Sequence, residues 1–501
     1  MSAEWTADEI RRVGRLVVDL IADHLTSLPE RPAFRPMPAA LAQALAATPA
    51  PADPVSPDDI LRRFKDTIEP YPFGNGHPRF WGWINSPPAV MGVFADALAA
   101  AMNPSCAGGN HAAIHLEREV LQWFRDLLHF PAGSMGLLVS GGSMATMTAL
   151  ATARHLKSGV DVRQDGLRGA STPFAFYMTP EGHSCARKAI ELLGFGSASI
   201  RVLPTTAGYT MDVAALDAAL DADRRAGVRP IAVVATAGTT NTGAIDDLEA
   251  VGAVCRRHEV WVHVDAAYGG PAILSDEYGE AIGALAQADS VALDPHKWLF
   301  VPVEAGLVLV RDGEAMRSAF SLVPPYVRAQ GSAGEVYGLP WFSEYGFQQT
   351  RGFRALKVWM AMQQFGTNGY KAALEENIAL ARYLADCVRS AGDFELMAPP
   401  SLSVVCFRYV DPAIRHDRGR VGAADEGAAA LEREAAEAAL NRAILERLQL
   451  SGEAFITSTE LRGRFVLRAC IVNYRSTRDD VDRMLEAIRT IGRESQSRIE
   501  N

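Results

Sequence analysis

Apolar residues recur at helical spacing through the N-terminal segment, at Ile10, Val13, Leu16, Val17, Leu20, Ile21, Leu25 and Leu28. Thr6 followed by Glu9 supplies a capping box, so the pattern predicts an amphipathic helix that starts just after Thr6. The Pro- and Ala-rich stretch from Pro29 to Pro57 then reads as an extended arm over a surface. A helix on such an arm packs on another body, either the rest of the chain or a second subunit. From about residue 86 to 365 short apolar runs alternate with helical patterns. Gly136–Ser140, Phe174–Met178, Ile231–Ala235, Val260–Val264 and Ala305–Val310 are examples. This alternation predicts an α/β fold, a mostly parallel sheet covered by helices on both faces. In such a sheet the site lies beyond the carboxyl ends of the strands. After Trp359 the pattern becomes α+β: helical stretches over 366–391 and about 426–449 flank strands at Val404–Arg408 and Phe465–Ile471. The expected organisation is an N-terminal helical arm (1–85), a large domain (86–365) and a small C-terminal α+β domain (366–501). The charged, Ala-rich run between Asp411 and Glu434 reads as a solvated loop passing into a helix.

Composition narrows the function classes. The 501 residues, 48% of them hydrophobic, leave room for large cores. A formal charge of −10 argues against a general nucleic-acid surface. The N-terminus is acidic rather than signal-like, and no apolar run reaches the ~18 residues of a membrane span. The six cysteines are scattered without a C-x-x-C pair. That disfavours a metal site or a disulfide framework and fits a reduced cytoplasm.

The chemistry gathers at predicted strand ends. In Ser290-Val-Ala-Leu-Asp-Pro-His-Lys-Trp298 a buried strand leads to His296 and Lys297. Desolvation there is expected to lower the lysine pKa and favour the neutral amine that attacks an aldehyde. Trp261-Val-His-Val-Asp265-Ala-Ala-Tyr268 ends a second strand in a carboxylate. The pair alone is equally compatible with a structural ion pair. Ser140-Gly-Gly-Ser143 follows a strand and opens a helix, so Gly142, Ser143 and the helix dipole suit a phosphate. Glycine is also common in such turns for geometry alone. No P-loop or dinucleotide fingerprint is present. Ala235-Thr-Ala-Gly-Thr-Thr240-Asn-Thr-Gly243 gives either a capped turn or a polar wall, and His183 ends the strand Phe174–Met178. Together these parts suit pyridoxal 5′-phosphate. Lys297 would bond its aldehyde, Asp265 would keep its ring nitrogen protonated, and Gly142 and Ser143 would hold its phosphate. His183 would stack on one ring face, with Ala267 beneath the other.

Over nearly its whole length the sequence resembles the group II pyridoxal-phosphate-dependent decarboxylases, which include the aromatic L-amino acid, histidine and glutamate decarboxylases. The resemblance rests on Glu9–Asp19, His77-Pro-Arg-Phe-Trp-Gly-Trp83, His263-Val-Asp265-Ala-Ala267-Tyr, Asp294-Pro-His296-Lys297 and Phe353-Arg-Ala-Leu-Lys357-Val-Trp359. It implies fold type I, the aspartate aminotransferase-like architecture: a mostly parallel seven-stranded sheet between helices. It also implies a homodimer with a swapped N-terminal arm and active sites at the subunit interface. By resemblance, Lys297 is the Schiff-base lysine, Asp265 the pyridinium partner and His183 the stacking base. Thr240 lies near the ring, and Gly142, Ser143 and His296 lie at the phosphate or its neighbourhood. Tyr326 matches the tyrosine of a mobile catalytic loop that protonates the substrate carbon after CO2 leaves, and residues 327–336 have the composition of a lid. Trp83 and Ile84 fall in the substrate-pocket segment, and Asn103 and Ser105 where the partner subunit lends residues. His111 replaces a proline common in the family and is a candidate for tuning substrate choice.

The expected reaction is decarboxylation of a neutral, aromatic L-amino acid. An aliphatic substrate such as valine or leucine is the first alternative. A decarboxylation-dependent aldehyde synthase is the second; Tyr326 speaks against it. Transamination or carbon–carbon lyase chemistry and a non-catalytic scaffold complete the alternatives.

Overall fold

Six of the apolar runs read from the sequence are strands of one sheet. The computed structural model describes residues 4–74, 76–322, 341–410 and 426–499. In chain order the strands are β1 (Met135–Val139), β2 (Phe174–Met178), β3 (Ile200–Val202), β4 (Arg229–Thr236), β5 (Trp261–Asp265), β6 (Ser290–Leu293) and β7 (Gly306–Val310). They form a seven-stranded sheet in the order β1-β7-β6-β5-β4-β2-β3. Pairing is parallel from β3 through β6, and β7 runs antiparallel to both β6 and β1. Every residue of β5, β6 and β7 is buried. Strands covered on both faces have no polar side to alternate with, so they read as continuous apolar runs. β3 has only three residues and no fully buried side, which is why periodicity missed it.

The helix Gly142–Lys157 leaves the end of β1 and lies against β4, β5, β6 and β7. Ala145, Ala149 and Ala153 are fully buried on this helix, and their small side chains allow a close approach to the sheet. A buried ion pair fastens the edge strand. Arg351 Nη1 donates to Glu117 Oε2 at 3.0 Å, Arg351 Nη2 donates to the Leu138 carbonyl at 2.7 Å, and Glu117 Oε1 accepts the Leu138 N–H at 3.0 Å. Arg351 also exchanges backbone and side-chain hydrogen bonds with Cys106, at 2.9 Å each.

The chain folds into two compact units. One comprises Ile84–Arg382 and Ala398–Val405, and contains the large sheet. The other draws on Met1–Trp83, Tyr383–Met397 and Cys406–Asn501. In it the N-terminal helix, Ala7–Ser27, starts at Thr6 with both halves of the capping box made. Its apolar stripe is largely uncovered in the single chain: no residue is buried, and Ile10 is 57% exposed. The arm from Pro29 to Pro57 is not extended throughout. Ala39–Ala47 is helical, because an alanine-rich run is the best helix former available once the prolines at its start are passed. The small sheet has β8 (Phe394–Leu396), β9 (Val404–Tyr409), β10 (Thr457–Leu461) and β11 (Arg464–Cys470), in the order β10-β11-β9-β8. The helical stretch expected over 366–391 is present: a kink at Gly366, φ +63°, divides Arg354–Ser390 into two helices, and the second starts just after it. The helix Glu426–Ser451 matches the stretch expected from about 426, while residues 411–425 of the charged run lie outside the described residues.

Candidate active site

The strand ends converge on one cavity of about 310 Å³, lined among others by Ile84, Gly142, Ser143, His183, Thr240, Asp265, Ala267, His296 and Lys297. Its size suits a small ligand. Gly141 occupies φ +139° at the N-cap of the helix Gly142–Lys157, a conformation that excludes a side chain. The first amides of that helix have no partner within it, an arrangement that suits an anion. A Cβ on Gly142 would stand 2.9 Å from Asp294 Oδ2 and 3.2 Å from the Ala267 methyl. Gly142→Ala should therefore crowd this cradle and weaken cofactor binding by about tenfold or more, the equivalent of ~1.4 kcal/mol, while leaving the melting temperature nearly unchanged. Titration of the purified protein with pyridoxal phosphate checks this; unchanged affinity would contradict it.

Asp265 terminates β5 with Oδ1 accepting the Ala267 N–H at 3.1 Å, which orients the carboxylate at the sheet edge. Beneath it His263 is fully buried between Ser290 Oγ, 3.0 Å from Nδ1, and Thr146 Oγ1, 3.2 Å from Nε2. Burial pushes the His263 imidazole down to about 4, so it stays neutral and structural. His183 is the N-cap of the helix Ser184–Leu192, its Nδ1 accepting the Cys185 N–H at 3.3 Å. That leaves Nε2 as the protonated nitrogen of a neutral ring. Desolvation is the main cause holding His183 below the ordinary imidazole range. The hydroxyl turn proves to be both a cap and a wall. Thr239 Oγ1 lies 2.9 Å from Thr242 Oγ1 and accepts the Ala244 N–H, while Thr240 lines the cavity.

Lys297 Nζ lies 3.0 Å from Asp294 Oδ2, with its side chain 22% exposed. Burial pushes its ammonium down, as its position in the sequence suggests. Asp294 and Asp265 push it up by more, and the net shift is upward. The expected lowering is thus reversed, because it reckoned with burial and not with a second carboxylate. Asp294, Thr236, Cys185 and Tyr268 also line the cavity and were not singled out from the sequence. An acidic residue three positions before the lysine was a visible sign of Asp294. Thr236 carried only its place at the start of the hydroxyl-rich run Ala235–Gly243, which did not set it apart from the other threonines there.

Ile84 is both core and cavity wall, 8% exposed. Trp83 does not line this cavity. It sits at φ +47° in a cluster with Phe73, Phe80 and Phe455, and its carbonyl accepts Arg468 Nη1 at 2.9 Å. Asn103, the left-handed C-cap of the helix Val90–Met102, and Ser105 are exposed. His111 is half-buried at the N-cap position of the helix Ala112–Leu127 and makes no side-chain cap. None of these three lines the Lys297 cavity. Tyr326 and the segment 327–336 lie outside the described residues.

Two residues of the lining carry a buried oxygen without a hydrogen-bond partner, Thr236 Oγ1 and Asp294 Oδ1. A ligand with an aldehyde for the amine, a basic nitrogen for the carboxylate and an anion for the helix N-terminus meets these groups together. Pyridoxal 5′-phosphate is such a ligand, and the sheet order with its site at the carboxyl edge makes this an enzyme of fold type I. Known structures share that architecture. A crystal structure of Oryza sativa TDC with PLP and tryptamine superposes with a TM-score of 0.87 at 28% identity, covering 99% of this chain and 100% of that one. Mouse CSAD gives 0.87 at 25% identity, with 97% and 99% covered. Residues 38–410 match the pyridoxal-dependent decarboxylase conserved domain, and the chain belongs to that family. It is 30% identical to the aromatic-L-amino-acid decarboxylase of Bacillus atrophaeus, over 98% of this chain and 97% of the relative. Tryptophan decarboxylase 1 of Oryza sativa subsp. japonica is 32% identical, with 93% and 90% covered. The protein is a pyridoxal-phosphate-dependent amino acid carboxy-lyase.

Proposed function

We propose that this protein converts an aromatic L-amino acid to its amine and CO2, and that it does so as a homodimer. The cavity lining carries the substrate reading: among the described residues it has an apolar wall at Ile84 and no arginine. Lys297, its one lysine, is already matched by Asp294. A second carboxylate on the substrate would be buried without a counter-charge, at a large cost. Relatives named as tryptophan and tyrosine decarboxylases support the aromatic class.

When bound, pyridoxal phosphate supplies an electron-poor ring that takes up the electron pair left on the α-carbon as CO2 departs. Lys297 Nζ would hold the cofactor at its aldehyde carbon. Asp265 keeps a proton on the ring nitrogen. His183, neutral and fixed by the Cys185 N–H, offers a flat face to the ring. Thr240, Ala267 and His296 complete the cofactor's surroundings, and Gly142 and Ser143 present the helix N-terminus to its phosphate. The Tyr326 hydroxyl delivers a proton to the α-carbon, and residues 327–336 exclude water during that step. Asn103 and Ser105 serve the site of the second subunit, and their exposure in the single chain supports this. Exposed apolar residues on the N-terminal helix, Ile10 and Val18 among them, support an arm that is buried against a partner. The six unpaired cysteines suit a cytoplasmic location. Among the described residues no helix is long and apolar enough to cross a membrane.

Incubation with pyridoxal phosphate and each standard amino acid, with products identified by mass spectrometry, tests the reading. Amines from tryptophan, tyrosine or phenylalanine are expected. Amine from valine or leucine alone would move the substrate class, and aldehyde with hydrogen peroxide would reassign the outcome. Absence of CO2 from every amino acid would sink the proposal.

A further inference from the structure

We propose that Asp294 is the resting partner of Lys297, a positioning residue that holds the lysine ammonium whenever that amine is not bonded to the cofactor. The inference rests on reading Lys297 as the cofactor-bonding amine, and it assigns a role to a residue outside that reading. Asp294 follows β6 directly, its amide bonded to the Ala267 carbonyl, and the Lys297 N–H bonds back to the Asp294 carbonyl at 2.9 Å. This one-turn geometry places both side chains in the same cavity, with Asp294 Oδ2 3.0 Å from Nζ. The carboxylate is 2% exposed. It also lies against the first residue of the helix Gly142–Lys157, at the positive end of the helix dipole. Its two oxygens are used differently. Oδ2 takes the ammonium; Oδ1 is buried without a hydrogen-bond partner, and His296 Nδ1 stands 3.9 Å from it.

The consequence concerns protons. The amine attacks an aldehyde only after losing its proton, so a carboxylate that retains the ammonium sets the pH at which Lys297 becomes reactive. Other titratable groups face the same amine. Asp265 on β5 favours the ammonium, as does Cys185, while His183 at the head of the helix Ser184–Leu192 is itself lowered by the lysine charge. His296 and Tyr268 are the remaining ionisable side chains in the lining, the Tyr268 hydroxyl lying 2.6 Å from Ser403 Oγ. Asp294 is set apart by direct contact with Nζ. It keeps the displaced lysine charged and close, and prevents the free amine from recapturing the aldehyde before product forms.

The test is reductive methylation of the full-length protein stripped of cofactor, across a pH series, with Lys297 and the exposed Lys188 read by peptide mass spectrometry. A labelling midpoint reports the proton, whereas restricted access of the reagent changes only the rate. In the wild-type chain the Lys297 midpoint should lie above that of Lys188. In Asp294→Asn it should fall by about one pH unit or more, about tenfold more labelling at a fixed pH below the midpoint. Coincident midpoints for the two lysines of the wild type, or coincident Lys297 profiles in wild type and variant, would overturn the proposal. The wild-type comparison stands even where the variant folds poorly. Because no cofactor is present, the result is independent of whether Lys297→Ala still binds pyridoxal phosphate, which tests the underlying reading.

Discussion

Lys297→Ala should reduce amine formation to background, a loss on the order of 10⁶-fold if the lysine acts as other covalent groups do. The protein should also lose the visible absorbance of lysine-bound cofactor. The reason is chemical rather than steric: no other lysine lines the cavity among the described residues, so no second amine can hold the aldehyde. Alanine has a side effect that must be separated from this one. It leaves Asp294, 2% exposed, without its cation, and removing one partner of a buried pair costs several kcal/mol or forces the remaining acid to protonate. Lys297→Arg is the control. Guanidinium keeps a positive charge beside Asp294 but cannot lose its proton and attack an aldehyde. Arginine should therefore restore stability in urea relative to alanine, yet leave turnover and absorbance at background. Amine formation by either variant at a measurable fraction of wild type would remove Lys297 from its role.

The contrast between the two effects shows how much of the site was legible in the sequence. The strands β5 and β6 were readable because total burial leaves them largely apolar, and their ends delivered Asp265 and the run to Lys297 in plain view. Thr6 and Glu9 announced their helix because a capping box is a local device, complete within four residues. What depended on three-dimensional neighbours was not readable. The Lys297 shift was read with the wrong sign, since the opposing carboxylate belongs to a turn whose geometry the sequence does not specify. Thr236 became a cavity residue only because β4 pairs it with Asp265 at the sheet edge. Trp83 and Ile84 are adjacent in sequence, yet they diverge: Trp83 turns into an aromatic cluster and Ile84 into the cavity wall. Family resemblance supplied the roles, but these distinctions came from packing.

The second large effect is on stability and comes from a pair that touches no substrate. Glu117→Gln should destabilise the protein by about 3–5 kcal/mol, because it leaves the Arg351 guanidinium buried with a neutral partner. Side-chain exposure is 2% for Arg351 and 0% for Glu117, so solvent cannot replace the lost charge. The pair also joins elements distant in sequence. Glu117 on the helix Ala112–Leu127 accepts the Leu138 amide of β1, and Arg351 grips the Leu138 and Cys106 carbonyls. Breaking it should therefore loosen β1, the strand whose end becomes the phosphate-facing turn at Gly141 and Gly142. Weaker cofactor binding should accompany the loss in urea stability. Replacing both partners with apolar residues, as in Glu117→Leu with Arg351→Met, should recover part of the stability, because neither charge then remains buried. That double variant should not recover cofactor affinity to the same extent, since the carbonyls at Cys106 and Leu138 still lack their donors. Urea unfolding of the cofactor-free protein and pyridoxal phosphate titration separate the two quantities. A single variant within about 1 kcal/mol of wild type would show that the pair is not needed to hold the edge strand.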